Sequence, residues 1–330
     1  DPPNDAEEEA VTDAASALAD AEKPVILAGG GVIKGDASEQ LRRLATEYDI
    51  PVATTMPGLG SFPEDHPLSL QMGGMHGTGY ANLAMSHCDV LLGVGTRFDD
   101  RLTGGIETFA PDAEVIHVDI DPAEISKNIY ADHPLIGEAA TVLEQIESEM
   151  TSRPDTEAWR GQIQTWKEEY PMAYDAPRDG PLKPQFVVEA MNEAADGNAI
   201  VTTGVGQHQM WALQYWTFTE PRTWVSSNGL GAMGYGVPAA VGAKMAAPDR
   251  EVVAFEGDGS FMMTSHALSP AVREGLDFTV VVLNNNYVGM IRQWQDAFYG
   301  KRRYESEWGW GPNLAALAEA YGAKGFTVSD

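Results

Sequence analysis

The sequence predicts an α/β protein made of two doubly wound parallel-sheet domains. Three observations point there. Short β-rich apolar runs alternate with stretches of helical periodicity, the runs end in glycine, acid or amide turns, and a proline-rich segment breaks the rhythm near the middle. At 330 residues the chain is also too long for one ordinary domain.

The first alternation fills residues 1–150. Residues 11–20 read as helix, and Pro24 to Ala28 as a buried strand that runs into the turn Gly29-Gly30-Gly31. Leu41, Leu44 and Tyr48 recur at helical spacing, which makes Ala37 to Tyr48 a helix. Pro51 to Thr55 is a short strand, Asn82 to Ser86 a helix, and Asp89 to Val94 a buried strand closing on Gly95. Glu114 to Ile120 is the next strand, and Asp121-Pro122 starts the next helix. Residues 151–183 read as a linker, where Pro154, Pro171, Pro177 and Pro181 surround one polar helix bearing Trp159, Ile163 and Trp166. The second alternation fills residues 184–330. It runs helix Pro184 to Ala194, strand Ala199 to Thr203, helix Met233 to Ala246, strand Val252 to Phe255, helix Ser265 to Arg273 and strand Phe278 to Leu283.

Apolar residues make up 43% of the chain, enough for two cores, yet no apolar run reaches the length of a membrane span. The acidic N-terminus lacks the basic start and apolar stretch of a signal peptide. Cys88 is the single cysteine, so no intrachain disulfide forms, and it reads as a small buried hydrophobe. Forty-nine acids against 21 bases give a formal charge of −28. Such a surface repels nucleic acid and anionic membranes. It also repels itself when salt is scarce, since the Debye length grows from about 3 Å at 1 M to about 30 Å at 0.01 M. The composition therefore reads as a salt-adapted cytoplasmic protein.

Asp258 follows the run Val252-Val253-Ala254-Phe255-Glu256-Gly257, and Asn284-Asn285 follows the run Phe278 to Leu283. Twenty-seven positions separate Asp258 from Asn285. Each polar group then lies at the carboxyl end of a buried parallel strand, the edge where open α/β sheets bind ligands. A carboxylate and an amide oxygen meeting there suit a hard cation that shares its shell with a diphosphate, as Mg²⁺ does. Either fragment by itself is an ordinary turn, and the signal lies in their combination. Gly29-x-Gly31 begins a dinucleotide fingerprint, but Lys34 stands where its third glycine belongs. There is no Gly-x-Ser-x-Gly elbow, no Gly-Lys-Ser/Thr loop and no His-Glu-x-x-His helix.

Gly257-Asp258-Gly259 followed at this distance by Asn284-Asn285 resembles the thiamin-diphosphate motif. The neighbouring blocks are more specific. Thr203-Gly204-Val205-Gly206-Gln207-His208, Gly229-Leu230-Gly231-Ala232-Met233-Gly234 and Gly289-Met290-Ile291-Arg292-Gln293-Trp294-Gln295 resemble the catalytic subunits of the acetolactate (acetohydroxyacid) synthases. Gly74-Met75-His76-Gly77 and Gly95-Thr96-Arg97-Phe98-Asp99-Asp100-Arg101 in the first half agree, so the resemblance spans nearly the whole chain.

That resemblance implies the rest. Asp258, the Asn285 side chain and the Tyr287 carbonyl would hold Mg²⁺. Thiamin diphosphate would meet Val205, Gly206, Gln207, His208, Gly231, Met233, Gly257, Gly259, Ser260, Gly289 and Met290. Met233, Met290 and Trp294 would serve catalysis, with Met233 bending the cofactor and Trp294 contacting the second substrate. FAD would meet Gly30, Gly31, Met75, His76, Gly95, Arg97, Asp99, Arg101 and Asp119 in the central domain. Substrates would be pyruvate and 2-oxobutyrate, joined with loss of CO₂ to give 2-acetolactate or 2-aceto-2-hydroxybutyrate. Relatives work as homodimers or homotetramers, with or without a small regulatory subunit. Their catalytic glutamate sits on a pyrimidine-binding domain that nothing here matches, so the chain reads as a fragment, also short of the C-terminal tail, and inactive alone. Two departures stand out: Glu138 replaces the aspartate usual at an adenine contact, and His266-Ala267 replaces Gln-Glu. Two rivals remain open, a pyruvate oxidase or other carboligase of the same cofactor, and a non-catalytic cofactor-binding module.

Overall fold

The computed structural model describes residues 3–175, 180–195, 197 and 199–329. Asp1, Pro2, Pro177 and Asp330, which belong to the terminal and linker segments read above, lie outside the described residues. The chain divides into two compact units, Asp1–Ala173 with Phe218–Arg222, and Tyr174–Thr217 with Thr223–Asp330.

The first unit holds a parallel sheet of β1 (Pro24–Ala28), β2 (Val52–Thr54), β3 (Ser69–Met72), β4 (Val90–Val94), β5 (Glu114–Asp119) and β6 (His133–Ile136). Their order across the sheet is β3-β2-β1-β4-β5-β6. Every residue of β1, β2 and β4 is buried. A parallel sheet covered on both faces needs such unbroken apolar runs. Successive residues face opposite ways. Ile26, Val52, Leu92 and Ile116 pack with helices Glu8–Asp20, Ser38–Glu47 and Ala139–Glu149. Val25, Leu27, Ala53 and Leu91 pack with helices Gly79–His87 and Glu157–Glu169. Leu41 and Leu44 of the predicted second helix are fully buried, each contributing roughly 1.5–3 kcal/mol of apolar burial.

Three readings need correction here. Asp121-Pro122 starts a turn, not a helix. The Asp121 N–H donates to Asp119 Oδ1 and the Ala123 N–H to Asp121 Oδ1, both at 2.9 Å, so side chains satisfy the backbone locally. The polar helix assigned to the linker, Glu157–Glu169, is built into the first unit. Trp159 and Ile163 are buried, and the Trp159 indole donates to the Pro24 carbonyl at 3.2 Å. The division between units falls at Ala173 and Tyr174. Finally, β3 and β6 were not anticipated, since Gln71 and Pro134 interrupt their apolar pattern.

Residues 218–222 return to the first unit. The Glu64 N–H donates to the Phe218 carbonyl at 3.0 Å, and the Phe218 N–H donates to Glu64 Oε2 at 2.7 Å. Burial pushes the Glu64 carboxyl up to about 8, against the bond from Phe218.

The second unit holds β7 (Ile200–Thr203), β8 (Trp224–Ser226), β9 (Val252–Gly257) and β10 (Thr279–Leu283), parallel and ordered β10-β9-β7-β8. β9 runs two residues beyond the predicted Phe255, so Glu256 belongs to the sheet. The helix expected from Met233 begins at Gly236, after Gly234 adopts a positive φ of 78°. The helix expected from Ser265 opens with a 3₁₀ turn, Ser265–Ala267, before Leu268–Arg273. Helices Gln207–Tyr215, Asp258–Thr264, Gly289–Phe298 and Leu314–Ala320 and strand β8 went unread. Among the described residues no helix is long and apolar enough to cross a membrane.

Candidate functional site

Strand order decides where a site can form in the second unit. The chain moves from β7 to β8 on one side and to β9 on the other. Loops leaving β7 and β9 therefore diverge and open a crevice at their carboxyl ends. The segment 204–208 leaves β7, 227–235 leaves β8, 258–260 leaves β9 and 284–289 leaves β10.

β9 and β10 pair in parallel with Leu283 opposite Gly257. Asp258 and Asn284-Asn285-Asn286 therefore leave the sheet side by side. Burial raises the Asp258 carboxyl above its ordinary range, opposed by N–H groups of Gly259, Asp258 itself and Asn286. Asn285 Oδ1 accepts the Tyr287 N–H at 3.0 Å and keeps a second lone pair. Tyr287 is bridged antiparallel to Glu307 through the bonds Val288 N–H to Ser306 and Trp308 N–H to Asn286, each 2.9 Å. That pattern turns the Tyr287 carbonyl away from the partner segment. The donor set is one carboxylate with neutral oxygens around it. Among the described residues no cluster of three or more His, Cys, Asp or Glu could hold a metal. One carboxylate plus neutral oxygens suits a magnesium ion that takes its remaining oxygens from a phosphate.

The other predicted residues join the same crevice. A Cβ placed on Gly289 would lie 2.1 Å from Gln207 Oε1 and 3.3 Å from Asn285 Nδ2, so those three residues touch. The Gln207 amide donates to Gln293 Oε1 at 2.9 Å. A Cβ on Gly259 would meet Met233 Cε at 3.6 Å and Trp308 Cζ2 at 2.7 Å. Gly231 lies beside Val205. Ser260 Oγ accepts the Gly234 N–H at 2.8 Å, and Thr264 donates to the Gly234 carbonyl at 2.7 Å, which holds the Met233 turn. Met290 and Trp294 stand four residues apart on helix Gly289–Phe298, on one face, and Trp294 packs edge-on against Phe298 at 5.4 Å.

His208 turns its side chain into the interior. Its side chain is buried, with burial pushing the imidazole down to about 3, so it is neutral. The ring lies under Gly206 and Gly257, and Nε2 faces Glu256 Oε2 at 3.7 Å. Three residues in this region were not singled out from the sequence: Glu256, Gln293 and Trp308. A charged residue inside an apolar strand was the available signal for Glu256.

In the first unit, the sheet order reverses between β1 and β4. Gly30 and Gly31 follow β1, Gly95 follows β4 and Asp119 ends β5, all on one edge of the sheet. The Gly31 N–H donates to the Gly95 carbonyl at 2.9 Å, and a Cβ on Gly31 would fall 2.5 Å from Gly95 Cα. The Met75 N–H donates to the Arg101 carbonyl at 2.8 Å, and burial followed by the Arg101 charge lowers the His76 pKa. Arg97 pairs with Asp99 at 3.3 Å and Arg101 with Asp100 at 3.4 Å, on exposed side chains. Of the nine flavin candidates, Gly30, Gly31, Gly95 and Asp119 thus share the carboxyl edge beside the switch point, while Met75 and Arg101 meet each other after β3 and β4.

The thiamine pyrophosphate enzyme central domain matches residues 11–146, and the thiamine pyrophosphate enzyme C-terminal TPP binding domain matches residues 204–330. An acetolactate synthase large subunit of Parasynechococcus marenigrum is 46% identical over all of this chain and 53% of its own length. An acetolactate synthase of Mycobacterium leprae is 44% identical over 94% of this chain and 51% of its own. A probable acetolactate synthase large subunit of Methanocaldococcus jannaschii is 46% identical over 94% of this chain and 54% of its own. The chain spans about half the length of the curated relatives it matches.

Proposed function

The chain belongs to the thiamine pyrophosphate enzymes, and on that premise we propose that it works within an acetolactate synthase large subunit. The protein would join pyruvate to a second 2-oxo acid, pyruvate or 2-oxobutyrate, with loss of CO₂, in the biosynthesis of valine, leucine and isoleucine. The observation that carries this reading is the crevice of the second unit. Loops from all four of its strands meet there, and they carry the residue blocks that resemble the synthases.

Thiamin diphosphate supplies the electron sink that lets a 2-oxo acid lose CO₂. The chain's own groups would bind and orient it. Asp258, Asn285 and the Tyr287 carbonyl would hold Mg²⁺. Val205, Gly206, Gln207, Gly257, Gly259 and Ser260 would line the diphosphate, with Gly231 and Gly289 leaving room for close approach. His208 would act through its backbone and by packing below. Met233 would contact the rings without adding a competing base. Met290 and Trp294 would wall the acceptor pocket.

In the first unit Gly30, Gly31, Met75, His76, Gly95, Arg97, Asp99, Arg101 and Asp119 would hold FAD. We further propose a cytoplasmic, salt-adapted homodimer or homotetramer, with a small regulatory subunit as an additional partner. Product analysis of the full-length protein with pyruvate, thiamin diphosphate and Mg²⁺ tests the reading. Acetolactate is the expected product; acetyl phosphate or a free aldehyde would assign another member of the family.

A further inference from the structure

Glu256 is fully buried, at 0% exposure, directly beneath the crevice. Its Oε1 accepts the Val237 N–H at 3.2 Å. Burial pushes the Glu256 carboxyl up to about 7, opposed by the nearby Ser260 hydroxyl and the Val237 and Gly236 N–H groups. A Cβ on Gly204 would lie 2.2 Å from Glu256 Oε2, and one on Gly236 2.4 Å from Oε1. Both glycines therefore clear space for the carboxyl. Ser260 Oγ meanwhile accepts the Gly234 N–H, so the same network reaches the Met233 turn. Oε2 faces His208 Nε2 at 3.7 Å, and neither atom has a hydrogen-bond partner among the described residues.

Three backbone turns converge on this one side chain. They are 204–208 after β7, 234–237 before helix Gly236–Ala246, and 257–260 after β9. We infer that Glu256 is a positioning residue for the cofactor cradle, its carboxyl setting the spacing of the three turns that would surround the diphosphate. This rests on the thiamin diphosphate reading of the crevice. A carboxyl suits the task because Oε1 accepts the Val237 N–H while Oε2 fills the space left open at Gly204. Glutamine keeps the length but offers one acceptor oxygen. Aspartate keeps both oxygens but falls one methylene short of the turns. Alanine leaves the buried Val237 N–H without its acceptor and empties the space beneath Gly204 and Gly236.

The test is thiamin diphosphate binding to the full-length protein with Mg²⁺, followed by calorimetry, alongside kcat and the KM for the cofactor. Glu256→Ala and Glu256→Asp are expected to raise the cofactor Kd roughly 10–100-fold, since a buried N–H loses its acceptor and the turn it holds is released. At saturating cofactor kcat should stay within about 3-fold, because the residue touches no reacting atom. Glu256→Gln should raise Kd by about 5-fold or less. Gly204→Ala, which pushes into Oε2, should reproduce the loss with Glu256 intact. Melting of the cofactor-free protein checks folding, and where the alanine variant does not fold, the aspartate variant decides. Wild-type Kd in Glu256→Asp, or a fall in kcat with unchanged cofactor KM, would overturn the assignment. Absence of binding by the unaltered protein would overturn instead the cofactor reading on which it rests.

Discussion

The two units solve the same problem with different chemistry. Each is a parallel sheet whose strand order reverses and opens a crevice. The first closes its crevice with backbone on backbone. Gly29 N–H bonds to Val94 and Gly31 N–H to Gly95, at 2.8 and 2.9 Å, with no side chain between. The second closes its crevice with side chains, the buried Glu256 and Ser260 and the half-buried Thr264, acting on backbone turns. Their sheets are alike: the inner strands β1, β4 and β7 are wholly buried, and the edge strands β6 and β10 are partly exposed. A backbone-built crevice tolerates almost no added atom, because neither chain can retreat without moving its strand. A side-chain-built crevice is adjustable, since each polar group can be altered singly.

Substitutions can break or sharpen this contrast. The largest effect falls on Asp258→Ala, which should weaken Mg²⁺-dependent cofactor binding by more than the roughly 10–100-fold cost of losing a partner around a metal ligand. Melting of the first unit should not move with it. Unchanged calorimetric affinity would remove the metal site from the second unit. Trp294→Leu should keep acetolactate formation while cutting the preference for 2-oxobutyrate on the order of 10-fold, the scale of about 1–3 kcal/mol per methylene. A constant product ratio in competition assays would take Trp294 out of the acceptor pocket.

The first unit answers to pH through Glu64. Its folded pKa is raised from 4.5 to about 8. The unfolded chain therefore releases this proton first as pH rises, so the stabilisation is complete below pH 4.5 and is lost progressively up to about 8. Thermal melts across that window should show the first unit losing stability as pH rises, and Glu64→Gln should flatten the slope. An identical slope in the variant would assign the effect elsewhere. Gly31→Ala should destabilise the first unit by about 1–3 kcal/mol through backbone overpacking, leaving the cofactor Kd untouched; a shift in that Kd would show the two crevices to be coupled. The most diffuse effect is that of charge. At −28, both melting transitions should fall as KCl is lowered from molar to millimolar, and salt-independent melting would rule out salt adaptation.

Much of the fold was legible because buried parallel strands leave continuous apolar runs. Pro24–Ala28 was read to the residue, and Val90–Val94 and Thr279–Leu283 to within one. Strands carrying polar or proline residues, such as Ser69–Met72 and His133–Ile136, gave no such signal, because their sheet pairing comes from neighbours far along the chain. The helix Glu157–Glu169 was visible as a helix, but its attachment was not, since only the fold places Trp159 beneath Pro24.

By itself the sequence determined the two alternating α/β regions, the acidic surface and the candidate groups at the strand ends, because periodicity, charge and turn chemistry are local properties. Only the tertiary structure decided which strand lies beside which. That choice set Asp258 next to Asn286, turned His208 inward and brought three turns onto Glu256. Hydrogen-bond partners tens of residues apart are chosen by sheet order, and no local pattern encodes it.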